Sequence, residues 1–225
     1  MNPDGFMRGT RSNANGQDLN RNFPDRFGWN YGVIQPETRA MMKWMKERNF
    51  IMGANLHGGD LVANYPWDGN KQRRSGRYTA SPDDVTFRKL ASIYAKNHPK
   101  MKSTREFPDG ITNGAKWYVL YGGMQDWTYL HTSNLEITLE LSYPKHPIFM
   151  DTYWNDNRKS MYKYMEAATY MGVKGFSRYP ININNARTLK KGHYHAILAT
   201  GNHTLTSNGK SVHIFIPPNQ NKIKE

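Results

Sequence analysis

The segment GANLHGGD ends an apolar run in His57 followed by two glycines. A histidine at the carboxyl end of a strand stands where open α/β sheets present ligand-binding side chains. A neutral imidazole there can bind a metal, move a proton or anchor a substrate; the plainer reading is a structural histidine. Asn20 and Arg21, in DLNRNFPD, set an amide beside a planar guanidinium, a fork that suits a carboxylate as well as a surface ion pair. Tyr118, in KWYVLYGG, precedes a glycine pair and could close over a ligand or simply pack. In NLEITLELS, Leu135, Ile137, Leu139 and Leu141 share one face while Glu136, Thr138 and Glu140 share the other. The alternation predicts a solvent-facing Glu140, useful as a base only if that face lines a cleft. Asp68, before Gly69, reads as a turn residue or as a buried counter-charge for a basic group.

These residues need elements to hold them. Residues 1–33, rich in Gly, Asn, Asp and Arg, read as a long loop region. An amphipathic helix follows over 36–50, then a strand over 50–56 that ends at His57, and extended chain over 61–67. Ser81 is expected to cap a second helix, with Pro82 at its first position and Phe87, Leu90, Ala91 and Tyr94 as its buried stripe. Residues 107–123 look loop-like because Asp109-Gly110, Asn113-Gly114 and Gly122-Gly123 interrupt them. A strand over 135–141 and a helix over 156–171 complete the body. Short β runs at 173–176, 194–198, 204–205 and 212–216 form a small appendage. Alternating strands and helices predict an α/β sheet with helices on its faces.

The 225 residues suffice for one large domain or one domain and an appendage. Thirty-one Lys and Arg against 18 Asp and Glu give a net charge of +13. That field attracts polyanions in general, but the basic residues are spread along the chain and only KQRRSGR (71–77) clusters, so nucleic acid is not an expected partner. The absence of cysteine excludes disulfides and thiolate metal sites. No apolar run reaches the length of a membrane span, and MNPDGFMRGT contains no hydrophobic signal segment.

In one order along the chain, NPDGF, GQDLNRNFPD, GANLHGGDLVANYPWD, FPDGITNGAKWY, GGMQDWTYLHT and EITLEL closely resemble the zinc metallocarboxypeptidases. The resemblance is nearest to the regulatory branch that holds carboxypeptidases N, E and D, and it covers about residues 2–171. From VKGF through GHYHAILATGNHTLT the chain resembles a shortened form of the transthyretin-like β domain of that branch. The implied fold is an α/β mixed-sheet zinc-carboxypeptidase fold lacking its N-terminal part (1–171), followed by a short transthyretin-like β appendage (172–225).

The resemblance also implies roles. His57 matches the third zinc ligand, and Glu140 matches the general base that activates zinc-bound water and passes its proton to the leaving amine. Arg11 matches the group that polarises the scissile carbonyl. Asn20, Arg21 and Tyr118 match the groups that hold the substrate's terminal carboxylate, and Asp68 and Gln125 line the pocket for a C-terminal Lys or Arg. The implied partners are peptides or proteins ending in Lys or Arg, in an extracellular or secretory setting; Asn202-His203-Thr204 fits the N-glycosylation pattern.

Such a site needs two histidines, a glutamate and a water on zinc. None of the eight histidines has Glu three residues on, so one ligand of three is present. His57-x-x-Asp60 is only an imitation, and His193-x-His195 lies in the appendage. The family's cysteines after EITLEL are also missing, with Ser142 and Tyr143 in their place. The expectation is a chain truncated before NPDG, with an exposed sheet edge, that binds zinc poorly and has little hydrolase activity alone. Two other functions stay open: a non-catalytic binder of peptide C-termini through Asn20, Arg21 and Tyr118, and a basic polyanion-binding module built on 71–77.

Overall fold

The computed structural model describes residues 1–29, 32–145 and 149–218. Residues 30 and 31 of the expected loop region and 219–225 of the expected appendage lie outside the described residues. The body is a four-stranded mixed sheet in the order β1 (Met52–His57), β4 (Leu135–Ser142), β2 (Asp60–Tyr65), β3 (Ile111–Asn113). β1 runs parallel to β4, β4 antiparallel to β2, and β2 parallel to β3.

β4 is an interior strand whose apolar side, Leu135, Ile137, Leu139 and Leu141, meets Phe87, Leu90, Ala91 and Tyr94 of α3 (Asp84–Asn97) and Tyr164 and Ala167 of α6 (Met150–Tyr170). Its other side is covered as well. Glu136 is bonded by Asn55 of β1 (2.9 Å) and by Thr128 of α5 (Met124–His131). Glu140, bonded by His57, is only 5% exposed and not solvent-facing. Alternation marks two faces of a strand, but a second layer can cover the polar one. β1, by contrast, is a sheet edge among the described residues, only half-buried, with Leu56 60% exposed.

Several boundaries differ from expectation for local reasons. The loop region over 1–33 contains α1 (Pro3–Arg8), capped by Asn2 Oδ1 accepting from Gly5 N at 2.9 Å, and a 3-10 turn at Leu19–Arg21. Ser81 is buried but does not cap α3, which starts at Asp84. Asp83 stands at the cap position without a capping bond, because its carboxylate accepts from Tyr129 Oη (2.9 Å) and Arg187 Nε (3.0 Å). Within 107–123 the breakers turn out to shape β3 and α4 (Gly114–Trp117), and Asn113 Oδ1 caps α4 through Lys116 N at 3.3 Å. α6 begins six residues earlier than expected, at Met150, and its inward side mixes buried Asn157 and Ser160 with Tyr164 and Ala167. The helix over 36–50 is α2 (Pro36–Glu47).

After α6 the chain forms a two-stranded sheet of β5 (Val173–Ser177) and β8 (Gly192–Ala196). An antiparallel sheet follows, ordered β10 (Lys210–Ile216), β9 (Gly201–Ser207), β6 (Ile181–Ile183), β7 (Arg187–Leu189). Strands β6 and β7 were not anticipated; three residues each give too short a pattern. This unit has its own core of Ile181, Ile183, Leu189, Ala196, Leu198 and Ile216. It is tied to the body by the buried Arg187–Asp83 pair, by Ser133 Oγ donating to Thr188 O (2.8 Å), and by Ala199 N donating to Thr86 Oγ1 (3.2 Å).

Candidate active site

Register puts the first pair together. His57 and Glu140 are directly opposite in the parallel β1–β4 ladder, and His57 Nδ1 lies 2.9 Å from Glu140 Oε2. His57 is partly exposed and Glu140 buried. A buried carboxylate bonded to an imidazole at a strand end can move a proton, and the pair has solvent on its His57 side.

A second cluster lies where β2 runs out into the turn at 66–69. Asp68 is buried; its Oδ1 accepts from Gln125 Nε2 at 2.9 Å and Asn64 Nδ2 at 3.3 Å. Gln125 Oε1 and Asn64 Oδ1 are themselves buried without a hydrogen-bond partner. The cluster thus offers a carboxylate and two amide oxygens to a ligand that brings donors. Burial, and after it the charge of Asp126, pushes the Asp68 carboxyl well above the usual range, while Asn64 and the Arg21 guanidinium pull it back. Gly114 is required here, because a Cβ at that position would collide with the Asp68 carboxylate.

The N-terminal loop supplies the third group. Asp18 Oδ1 accepts from Asn20 N (3.0 Å), and Asn20 Oδ1 accepts from Met124 N (3.0 Å), which pins the loop to α5. Tyr118 is the residue that ends α4, and its hydroxyl shares a hydrogen bond with Arg21. Burial raises the Tyr118 hydroxyl; Arg21 opposes this, and the charges of Glu140 and Asp68 add to it. One tyrosine therefore senses both the Glu140 and the Asp68 clusters. Arg11 stands apart from this convergence: its Nε pairs with Asp18 Oδ2 at 2.7 Å in an exposed bridge.

Seven of the eight expected residues thus converge through His57–Glu140, Asn20–Arg21–Tyr118 and Asp68–Gln125, with Arg11 attached through Asp18. Three further residues were missed, of which Glu136 is buried. Asp126 accepts from the backbone of Asp68 and Gly69, Arg26 donates to Gly69 O (2.6 Å), and Glu136 is pushed up to about 8 by burial, against its bonds from Thr128 and Asn55. Glu136 was read only as part of the polar face shared with Glu140, and Asp126 was hinted at only by its adjacency to Gln125. His193 packs on Phe176, and His195 Nε2 reaches Met171 O (2.9 Å), so the H-x-H pair serves the appendage. A cavity of about 1260 Å³ opens between α2, α5 and the β unit, but none of the eight residues lines it.

A mixed sheet flanked by helices, with a buried acid facing a strand-end histidine and a separate acceptor pocket, defines an α/β enzyme-like architecture. The family profile described as zinc carboxypeptidase matches residues 1–160. Carboxypeptidase SOL1 of Arabidopsis thaliana is 49% identical over 180 residues, covering 78% of this chain and 36% of that protein. Carboxypeptidase D of Rattus norvegicus is 40% identical over 244 residues (93% of this chain, 18% of that protein). The carboxypeptidase N catalytic chain of Homo sapiens is 44% identical over 204 residues (77% and 44%). The carboxypeptidase A from Helicoverpa armigera shares the fold with a TM-score of 0.57 at 16% identity, covering 73% of this chain and 49% of that one. The chain belongs to the zinc carboxypeptidase family, on the side of carboxypeptidases D, M and N. It spans less than half the length of each of the three curated relatives described above.

The family implies zinc. Among the described residues, however, no group of three His, Cys, Asp or Glu side chains gathers to hold a metal, and His57 Nδ1 is engaged with Glu140. These residues do not fit a zinc held by three protein ligands.

Proposed function

We propose that this chain carries the substrate-recognition part of a metallocarboxypeptidase acting on peptides that end in Lys or Arg. The observation that carries the reading is Asp68: a buried carboxylate beside two unpartnered amide oxygens, an acceptor set suited to a donor-rich cation. Arg21, with Asn20 and Tyr118, is suited to the terminal carboxylate of the same peptide, and Tyr118 couples the two subsites. Glu140 is the candidate proton-transfer group, held in orientation by His57. Arg11 is assigned to carbonyl polarisation on resemblance, and it must leave Asp18 to serve there.

With one family zinc ligand of three among its residues, His57, the chain alone binds zinc weakly and hydrolyses little in this reading. The boundary near 171/172 and a transthyretin-like origin of the β unit are part of the same reading, as is an extracellular or secretory setting. Among the described residues no helix is long and apolar enough to cross a membrane. The test is calorimetric binding of three peptides differing only at the end: Arg as free acid, Arg as amide, and Ala as free acid. The acid ending in Arg should bind tightest. Equal affinity for acid and amide removes the carboxylate clamp, and equal affinity for Arg and Ala removes the basic-end pocket.

A further inference from the structure

Asp126, next to Gln125, has no part in the recognition scheme so far, yet it touches the backbone on which that scheme depends. Its two oxygens accept from Asp68 N at 2.9 and 3.1 Å, and Oδ2 also takes Gly69 N at 3.3 Å. Arg26 closes the same turn from the other side. Its Nη2 donates to Gly69 O at 2.6 Å, and its guanidinium lies over the rings of Trp67 (4.4 Å) and Phe27 (4.5 Å). A turn bonded this way has little freedom to rotate Asp68 away from Gln125 and Asn64.

We propose that Asp126 is a positioning residue for the basic-end pocket: from α5 it fixes the turn at 67–69, and its charge beside Asp68 makes the pocket favour a cationic over a neutral side chain. The inference rests on the reading of Asp68 as the acceptor for Lys or Arg. Two carboxylates that share a buried turn resist ionising together, and an arriving cation relieves both. Asp126 meets Arg26 and the two backbone N–H groups; Asp68 meets Asn64, Gln125, Arg21 and Tyr118, with Glu136 adding a further negative field. Burial pushes Asp126 up to about 7, the two N–H groups and Arg26 opposing, so the pair retains a proton under near-neutral conditions that a bound cation displaces.

The experiment is calorimetry of the whole chain with a peptide acid ending in Arg and its Ala-ended counterpart, across pH 5–8 and in buffers of different ionisation heat. The wild-type chain should prefer the Arg-ended peptide and release a proton on binding it near pH 7. In D126N the Arg-to-Ala affinity ratio should shrink about tenfold, with Ala-ended binding unchanged within about twofold, and proton release should move to lower pH. An unchanged ratio, or an equal fall for both peptides, overturns the proposal while leaving the Asp68 reading intact. A wild-type chain with no preference for Arg overturns both. Should D126N not fold, R26Q decides: without the cation Asp126 ionises less readily, so proton release must move to higher pH, and no movement overturns the proposal.

Discussion

The turn that carries Asp68 and the strand end that carries His57 sit in one sheet and are built to opposite standards. Asp68 follows an interior strand, is buried, and is bonded through its side chain by Gln125 and Asn64 and through its backbone by Asp126. His57 ends an edge strand, is partly exposed, and has Glu140 as its one recorded side-chain bond. The proposed recognition pocket is therefore preorganised in this chain, whereas the proposed proton-transfer pair is presented on an open side. A buried carboxylate must be held from several directions because each unmet group costs free energy, while an exposed imidazole has water as an alternative. Binding without chemistry is what this contrast predicts.

The largest test is Asp68→Ala. It should cut affinity for an Arg-ended peptide about a hundredfold, roughly 3 kcal/mol, and leave an Ala-ended one nearly unchanged. Parallel losses in titration calorimetry would make Asp68 structural and erase the contrast.

Glu136→Gln probes the buried face between the two regions. The folded chain holds the Glu136 proton up to about pH 8, whereas an unfolded one releases it near 4.5. This group's contribution is therefore greatest below the lower value and is lost as pH rises through the upper one. The Gln form does not titrate, so its stability relative to wild type should improve by about 2 kcal/mol between pH 5 and pH 6.5, read from urea midpoints. No difference between the two pH values would place Glu136 in contact with solvent.

Arg21→Met should reduce the preference for a peptide acid over its amide about tenfold, near 1.4 kcal/mol. A preserved preference would shift the clamp to another cation. The smallest effect is expected at the edge. His57→Ala should change peptide affinity and stability by less than about 1 kcal/mol, read by calorimetry and urea midpoints. Tight stoichiometric zinc that this substitution abolishes would show the edge site to be complete after all.

Much of the body was legible in order. The apolar run into His57, the Leu135–Leu141 alternation and the α3 stripe all name elements that exist, because each buries a face with a clear period. Where reading failed, polar residues were doing buried work. Glu136 and Glu140 look solvent-facing, and Ser81 looks like the cap of a helix that starts only at Asp84, beside an Asp83 engaged with Arg187. A polar side chain carries no mark of whether its partners lie tens of residues away.

The sequence alone determined the residue types and their order, and through them the family and the eight positions singled out for chemistry. Tertiary structure decided which of those positions meet. Register set His57 against Glu140, the covering α5 buried the polar face of β4, and Asp126 and Arg26 clamped the turn beneath Asp68. Those outcomes depend on desolvation and on contacts between distant segments, and both exist only once the chain has closed around them.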